Sequence, residues 1–257
     1  MSAPHSAAPR VALFATCLVD AIRPRVGFAA LSLLEAAGCV VEIPRGQTCC
    51  GQPALNSGDH DGAAAVARRT IALFEDYDAV VVPSGSCAGT IRTHYPDLFS
   101  AGSDWNRRAL VLAAKTFELF TYLADVRHWR PERVALSATA TYHDSCAGLR
   151  ELGVKAQPRR LLAAIDGLKL AEMEGAETCC GFGGTFCVKY PAISNAIVSE
   201  KTASIAATGA DLLLGGDLGC LMNMAGRLHR EGRTARAYHA AEVLAGMGDG
   251  PAIGEEP

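Results

Sequence analysis

Hydrophobic and polar positions follow two alternating patterns along the chain. Short apolar runs rich in β-branched residues are separated by longer stretches in which apolar residues recur at helical spacing. In the first half, this predicts strands at 10–16, 39–43 and 78–83, and helices at 25–37, 60–76 and within 87–127. In the second half, it predicts strands at 138–143, 168–173 and 211–215, and helices at 157–165, 190–208, 219–231 and 238–246. The alternation favours an α/β fold with two pseudo-repeated strand-helix lobes and parallel sheets.

The cysteines repeat in register between the two halves. Four cysteines in the first half recur in the second at offsets of 129 to 133 positions. The first set is Cys17, Cys49, Cys50 and Cys87, and the second set is Cys146, Cys179, Cys180 and Cys220. A polar stretch containing a proline, 128–133, separates the copies. We therefore expect copy one at 10–130, copy two at 134–247, and flexible tails at 1–9 and 248–257.

Composition and charge narrow the classes of partner. With 24 basic and 27 acidic residues the net charge is −3, which gives no strong field for a polyanion, so nucleic acid is not an expected partner. The longest apolar stretch, 110–126, contains Lys115, Glu118 and Asp125, so no membrane insertion is expected. The first residues lack a basic segment followed by an apolar one, and we therefore expect a cytoplasmic protein.

The repeated thiols call for a chemical explanation, because a chain of this length can bury a core without disulfides. Four of the eight follow predicted strand ends, and the carboxyl edge of a parallel sheet is where ligands bind. Simple core packing suits Cys39 but does not explain a set duplicated in register. Zinc sites usually contain short C-x-x-C pairs, and the chain has none. Iron-sulfur ligation is the favoured interpretation.

Three further residues stand near the second set. His143 and Asp144 lie three and two residues before Cys146. A histidine there can hydrogen-bond to a cluster or carry a proton, and capping or packing is the alternative. Cys187 has no counterpart in copy one and is interpreted as a packed residue or as an auxiliary redox thiol.

Five motifs in order carry a resemblance to a known family. They are TCCGQPALNSGD, VVPSGSCAG, HDSCAGLRELG, TCCGFGGTF and GGDLGCLMN. The duplicated CysCysGly pattern resembles the cysteine-rich CCG domain found in heterodisulfide reductase and in the iron-sulfur component of glycolate oxidase. Over residues 10–247 the chain is more closely similar to the lactate utilization protein A family.

The resemblance implies a protein that takes part in oxidising L-lactate to pyruvate together with companion B and C proteins. It also implies that the eight repeated cysteines bind iron-sulfur clusters. The heterodisulfide reductase relatives end each motif in CxxC, whereas Thr90 and Asn223 stand at those positions here. Four thiols per copy therefore favour two ordinary 4Fe-4S clusters over noncubane clusters.

Three functions follow from these observations. The leading hypothesis is an iron-sulfur electron-transfer subunit of an L-lactate-oxidising oxidoreductase, inactive alone because the chain lacks the G-x-G-x-x-G nucleotide fingerprint. The alternatives are a thiol/disulfide redox subunit like heterodisulfide reductase, and a zinc-binding scaffold. The sequence does not indicate where lactate binds.

Overall fold

The fold was analysed in a computed structural model, which describes residues 8–255. The tail expected at 1–9 lies almost entirely outside the described residues. Two four-stranded parallel sheets form the framework. The first has the order β2-β1-β3-β4, and the second has the order β6-β5-β7-β8, so both copies have the same topology. The strands are β1 Arg10–Leu13, β2 Val40–Glu42, β3 Ala79–Val82, β4 Thr116–Glu118, β5 Ala135–His143, β6 Asp166–Leu170, β7 Leu212–Gly215 and β8 Arg236–His239.

Helices connect the strands and cover the sheets. In copy one they are α1 Cys17–Ile22, α2 Pro24–Ala36, α3 Gln52–Asn56, α4 His60–Phe74, α5 Gly85–Gly89, α6 Asp104–Ala114 and α7 Leu119–Thr121. In copy two they are α8 Cys146–Leu152, α9 Ala156–Leu162, α10 Phe186–Lys189, α11 Pro191–Ala207, α12 Leu218–Arg230 and α13 Ala240–Leu244. Single π-helical turns occur at Thr90–His94 and Tyr122–Val126, and a 3-10 turn at Pro96–Leu98. Among the described residues, no helix has both the length and the apolar character needed to cross a bilayer.

The α/β prediction is confirmed, and two strands were missed. Strand β4 lies inside the segment 87–127, within which only helices were predicted, and it is three residues long. The helix predicted at 238–246 is wrong at its start, because Arg236–His239 forms the edge strand β8 and the helix begins at Ala240. Both missed strands contain a charged residue, Glu118 in β4 and Arg236 in β8, so they lack the continuous apolar run that marked strands such as β3.

Each sheet is buried on both faces. In β1, Val11 and Leu13 face a core shared by the two copies, whereas Ala12, and Phe14 just after the strand, face a core that belongs to copy one alone. The β7 strand alternates in the same way between the shared core and the copy-two core. Side chains on successive residues of a strand point to opposite faces, so such double burial requires the continuous apolar runs seen in the sequence.

The two copies pack on each other reciprocally. Helix α2 of copy one packs on α13 of copy two, and α9 of copy two packs on α7 of copy one. Likewise α5 contacts α8, and α1 contacts α12. A buried ion pair joins Arg23 to Glu242 at 2.9 Å across this interface. The carboxyl edges of the two sheets therefore lie next to each other.

The segment after α13 differs from the expected flexible tail. The amide of Ile253 donates to the carbonyl of Ala237, and Ala252 is buried in the shared core. Glu255 forms a salt bridge with Arg236 at 2.7 Å. Residues 248–255 thus pack along the outer strand of the second sheet.

Candidate metal centres

Copy one brings its four repeated thiols to the carboxyl edge of the first sheet. Cys17 is the first residue of α1 after β1, and Cys87 lies in α5 after β3. The side chains of Thr16 and Ser84 cap these two helices by accepting from backbone amides. Cys49 and Cys50 lie in the loop between β2 and α3. All four line one cavity of about 230 Å³.

The copy-one sulfurs share hydrogen bonds in a way that favours a thiolate at Cys49. Hydrogen bonds from Cys17 and Cys50, together with the amides of Gly51 and Cys50, lower the pKa of the Cys49 thiol. The pKa of Cys17 is raised by its hydrogen bond to Cys49 and by burial. The pKa of Cys50 is raised by hydrogen bonds with Cys49 and Cys87 and by burial. Thiolates are the form that binds metal, so this group of four thiols favours negative charge on the Cys49 sulfur before any metal binds.

A glycine aims a backbone amide at each CysCys pair. Gly51 has φ of +85°, and its amide lies 3.4 Å from the Cys49 sulfur. Gly181 has φ of +82°, and its amide lies 3.3 Å from the Cys179 sulfur. Only glycine adopts this backbone conformation without strain. The turn therefore supplies a donor to the sulfur in both copies.

Copy two assembles its thiols on the equivalent elements. Cys146 begins α8 after β5, and Cys220 lies in α12 after β7. Hydrogen bonds from Cys146 and Cys180, and the Gly181 amide, lower the pKa of Cys179. Cys180 and Cys220 are both buried. The eight residues proposed from the sequence thus lie in two groups of four, one per copy.

Different side chains hold the CysCys backbone in the two copies. In copy one the buried Tyr95 hydroxyl donates to the carbonyl of Cys50 at 2.7 Å. In copy two the Asn223 side-chain amide donates to the carbonyl of Cys180 at 2.8 Å. Tyr95 carried no sequence signal, because its partner is 45 positions away.

His143 lies directly against the copy-two thiols. One of its ring nitrogens and the sulfurs of Cys180 and Cys220 all lie within 4.8 Å of one another. The ring is 1 % exposed, and within residues 8–255 neither nitrogen forms a hydrogen bond of good geometry, although the Ala176 backbone acts on the ring. Burial lowers the pKa of His143 to about 3, so the imidazole is neutral. A buried polar group without a good hydrogen bond destabilises the fold unless a bound group supplies a partner.

Asp144 has a structural partner. Its fully buried carboxylate pairs with both terminal nitrogens of Arg159, at 2.8 and 2.9 Å. Arg159 also pairs with Glu172. This bidentate pair neutralises the Asp144 charge next to the site, which favours the structural interpretation of Asp144.

Lys201 is a copy-two residue that the sequence analysis missed. Its side chain is buried in α11, and the ammonium group donates to the carbonyls of Gly175 and Ala176 at 2.7 and 2.9 Å. Burial lowers its pKa to about 8, while the charges of Cys180 and Asp144 act in the opposite direction. A lysine on the apolar face of the predicted helix 190–208 was the available signal, since buried lysines are rare without a partner.

The remaining cysteines stand apart from the two groups. Cys39 is buried in the shared core, as expected for a packed residue. Cys187 lies in α10, and its thiol is 3.7 Å from the carbonyl of Gly184. All ten cysteines are free thiols.

The sheet edges that carry the cysteines of copy one and copy two are in contact. A Cβ atom on Gly85 would lie 2.8 Å from the Cα of Gly148, so the helices carrying Cys87 and Cys146 touch through glycines. The buried carboxylate of Asp217 crosses between the copies and accepts from the amide of Ser86 at 2.9 Å. A side chain at position 85 would therefore clash with the α8 backbone, so this close approach requires glycine there.

The donor sets fit iron-sulfur clusters. Each copy offers four converging sulfurs and a backbone amide aimed at one of them. Cys50, Cys180 and Cys220 are buried among apolar residues, whereas Cys17 is exposed. Thiolate ligands, amide donors and burial are the features by which proteins hold such clusters and set their potentials. In copy two, the unpartnered nitrogens of His143 also point to an occupant.

Comparison with known proteins agrees with this architecture. The family model described as a cysteine-rich domain, CCG, matches residues 11–92 and 140–225, so the chain is a protein of two CCG domains. It is 48 % identical to "Lactate utilization protein A" of Exiguobacterium sp. (strain ATCC BAA-1283 / AT1b), covering 92 % of this chain and 97 % of that one. It is 43 % identical to "Lactate utilization protein A 2" of Bacillus cereus (strain AH820), with 92 % and 98 % coverage. The chain belongs to the lactate utilization protein A family.

A solved structure shares the fold. A hypothetical protein from Helicobacter pylori superposes with a TM-score of 0.63 at 12 % identity, covering 96 % of this chain. The chain spans about half of that protein, 52 % of its length.

Proposed function

We propose that the chain is an iron-sulfur electron-transfer subunit of an L-lactate-oxidising oxidoreductase. The observation that carries the proposal is the four-thiol site that occurs twice on equivalent elements. The lactate part rests on the names of the relatives. The partners are companion B and C proteins of the same system, and the compartment is the cytoplasm, where free thiols persist.

Each copy holds one 4Fe-4S cluster through its four repeated cysteines. The positions three residues after Cys87 and Cys220 support four ligands per site rather than five. The Thr90 hydroxyl donates to the carbonyl of Ser86 at 2.9 Å, and Asn223 is engaged with the carbonyl of Cys180. Both side chains are therefore occupied with backbone groups, which disfavours a fifth donor and a noncubane cluster.

When bound, such clusters supply reversible one-electron storage. The residues of the chain fix the sulfurs and moderate their charge. Helices α1 and α5 hold two copy-one sulfurs at capped first turns, and the Gly51 amide offsets the negative charge on Cys49. The substrate oxidation itself belongs to the companion proteins, so the chain is inactive alone.

Metal content tests the two-site assignment. Anaerobically reconstituted protein is expected to bind iron and acid-labile sulfide, and Cys50→Ser and Cys180→Ser are each expected to remove about half of both. Cys187→Ser is the matched control, because its thiol lies outside both groups, and it is expected to retain all the iron. Reconstituted protein without iron and sulfide contradicts the proposal, and a colourless protein with stoichiometric zinc supports the scaffold alternative.

A second experiment tests the lactate role. Deletion in the host is expected to abolish growth on lactate, whereas the purified chain is expected not to oxidise lactate with an artificial dye. Turnover by the isolated chain contradicts the subunit assignment. Reduction of disulfides by the loaded chain would instead support the heterodisulfide-reductase-like alternative.

A further inference from the structure

The two candidate centres lie in different electrostatic surroundings. The strand before the first cysteine ends differently in each copy. Phe14 stands three residues before Cys17, and His143 stands three residues before Cys146. Phe14 is buried in the copy-one core and offers no polar atom, whereas His143 faces Cys180 and Cys220.

The helix after each CysCysGly turn shows a second difference. Val66 of α4 packs against Gly51, and Ile197 of α11 packs against Gly181, so these positions are equivalent. Four residues further along each helix stand Thr70 in copy one and Lys201 in copy two. The Thr70 hydroxyl lies 3.3 Å from the hydroxyl of Tyr95, so the equivalent position carries no charge.

The other charges near copy two do not cancel this difference. The buried Asp144 carboxylate is paired with Arg159. Arg159 also pairs with Glu172, whose side chain is 52 % exposed, so water screens the remaining negative charge. Asp217 lies beside Cys220, but its carboxylate accepts from Ser86 of copy one, so it acts on both copies. The charge of the Lys201 ammonium group acts on the copy-two thiols Cys180, Cys220 and Cys179. Among the described residues it forms no salt bridge, since it donates to two backbone carbonyls.

We propose that the copy-two cluster has the higher reduction potential, because Lys201 places a positive charge beside it and His143 donates its ring N–H to a cluster sulfur. This inference rests on the proposed function, in which each copy binds one iron-sulfur cluster. Each cluster gains one electron without breaking bonds, and the added negative charge is stabilised by a nearby cation and by hydrogen-bond donors. An electron arriving at copy one therefore moves favourably to copy two.

Hydrogen bonding by His143 is favoured over direct ligation. Four cysteines already supply one ligand to each iron of a 4Fe-4S cluster. Donation to a cluster sulfur satisfies the ring N–H. A buried donor without a partner costs more free energy than a buried acceptor, such as the second ring nitrogen, without one.

The experiment begins with iron and sulfide content, followed by redox titration with dithionite monitored by electron paramagnetic resonance. The cluster that survives in Cys50→Ser is expected to be reduced at a higher potential than the one that survives in Cys180→Ser. Absence of iron and sulfide refutes the proposed function. Loaded sites with equal potentials, or the opposite order, refute only the present inference.

Variants in the Cys50→Ser background assign the effect to residues. His143→Phe introduces the residue that copy one carries, and Lys201→Met removes the charge. Each is expected to shift the copy-two potential downward, whereas Lys201→Arg is expected to retain it. His60→Phe, at the exposed start of α4, is the control and is expected to cause no shift. Unchanged potentials in His143→Phe and Lys201→Met overturn the inference.

A spectroscopic measurement on the otherwise unaltered protein does not depend on the stability of variants. With ¹⁵N-labelled histidine, the reduced copy-two cluster is expected to show an exchangeable proton and a weak nitrogen coupling in electron-nuclear double resonance. A strong nitrogen coupling, as for a direct iron-nitrogen bond, overturns the hydrogen-bond assignment. Absence of any coupling to a histidine nitrogen overturns it as well.

Discussion

Replacing Tyr95 by phenylalanine removes one oxygen atom from the interior of copy one. The Tyr95 ring is 1 % exposed, and its hydroxyl donates to the carbonyl of Cys50 at 2.7 Å. The ring of phenylalanine fills the same space, so the change leaves the Cys50 carbonyl without this donor. A buried polar group that loses its partner costs about 1–3 kcal/mol, and we expect the free energy of unfolding to fall by this amount.

The effect is measurable by urea unfolding of the cluster-free, reduced protein. A loss of about 1–3 kcal/mol corresponds to roughly a 5- to 150-fold larger unfolding constant. The midpoint is expected to fall while the slope stays the same, because the surface exposed on unfolding does not change. Since Cys50 lies in the ligand loop, the loaded variant is also expected to lose its copy-one iron faster than its copy-two iron.

Tyr190→Phe is the matched control for this measurement. Tyr190 is 55 % exposed, so removing its hydroxyl is expected to change stability by no more than about 0.5 kcal/mol. If Tyr95→Phe unfolds at the same urea concentration as the unaltered protein and the control, then the hydroxyl does not stabilise the CysCys turn and the argument fails.

Three further changes test other parts of the structure. Gly181→Ala forces alanine to a φ of +82° and places its Cβ 2.8 Å from a carbonyl oxygen of α11. We expect it to lower the urea midpoint more than the control Gly209→Ala, where φ is +64° but no atom lies within 4 Å of the added Cβ. Arg159→Met leaves the buried Asp144 carboxylate unpaired and is expected to lower the free energy of unfolding in urea by about 3–5 kcal/mol. Adding Asp144→Asn to this variant is expected to restore part of the lost stability. Burial lowers the pKa of His239 from 6.5 to about 4. At this residue the folded state binds fewer protons than the unfolded state, so the contribution of His239 to stability falls by up to about 3 kcal/mol as pH drops from 6.5 to 4. His239→Asn is expected to flatten that part of the stability-pH curve, and an unchanged curve would contradict this assignment.

The repeat and the parallel sheets could be predicted because they leave local signals. Doubly buried strands such as β3 require continuous apolar runs, and the cysteines mark the ends of several strands. The edge strands β4 and β8 could not be predicted, because each contains a charged residue, Glu118 or Arg236, and lies next to helical turns, so neither shows a continuous apolar run. The grouping of the thiols followed from parallel topology, which brings the carboxyl ends of strands to one edge.

The remaining features of the sites depend on contacts between distant parts of the chain. The sequence singled out His143 by its place before Cys146, but not its position against Cys180 and Cys220, which is set by the packing of β5, β7 and the CysCys loop. The burial of Lys201 depends on carbonyls 25 and 26 positions away. The core shared between the copies likewise has no local signature, because its members come from both sheets.

The reciprocal packing of the two copies has the contact pattern of a homodimer with twofold symmetry. In a homodimer every substitution appears on both sides, so the positions of Phe14 and His143 would have to carry the same residue. Joining the halves in one polypeptide removes that constraint, since one half can change while the other keeps its residue. The covalent link therefore permits a molecule with two chemically distinct ends, which identical protomers related by symmetry do not have.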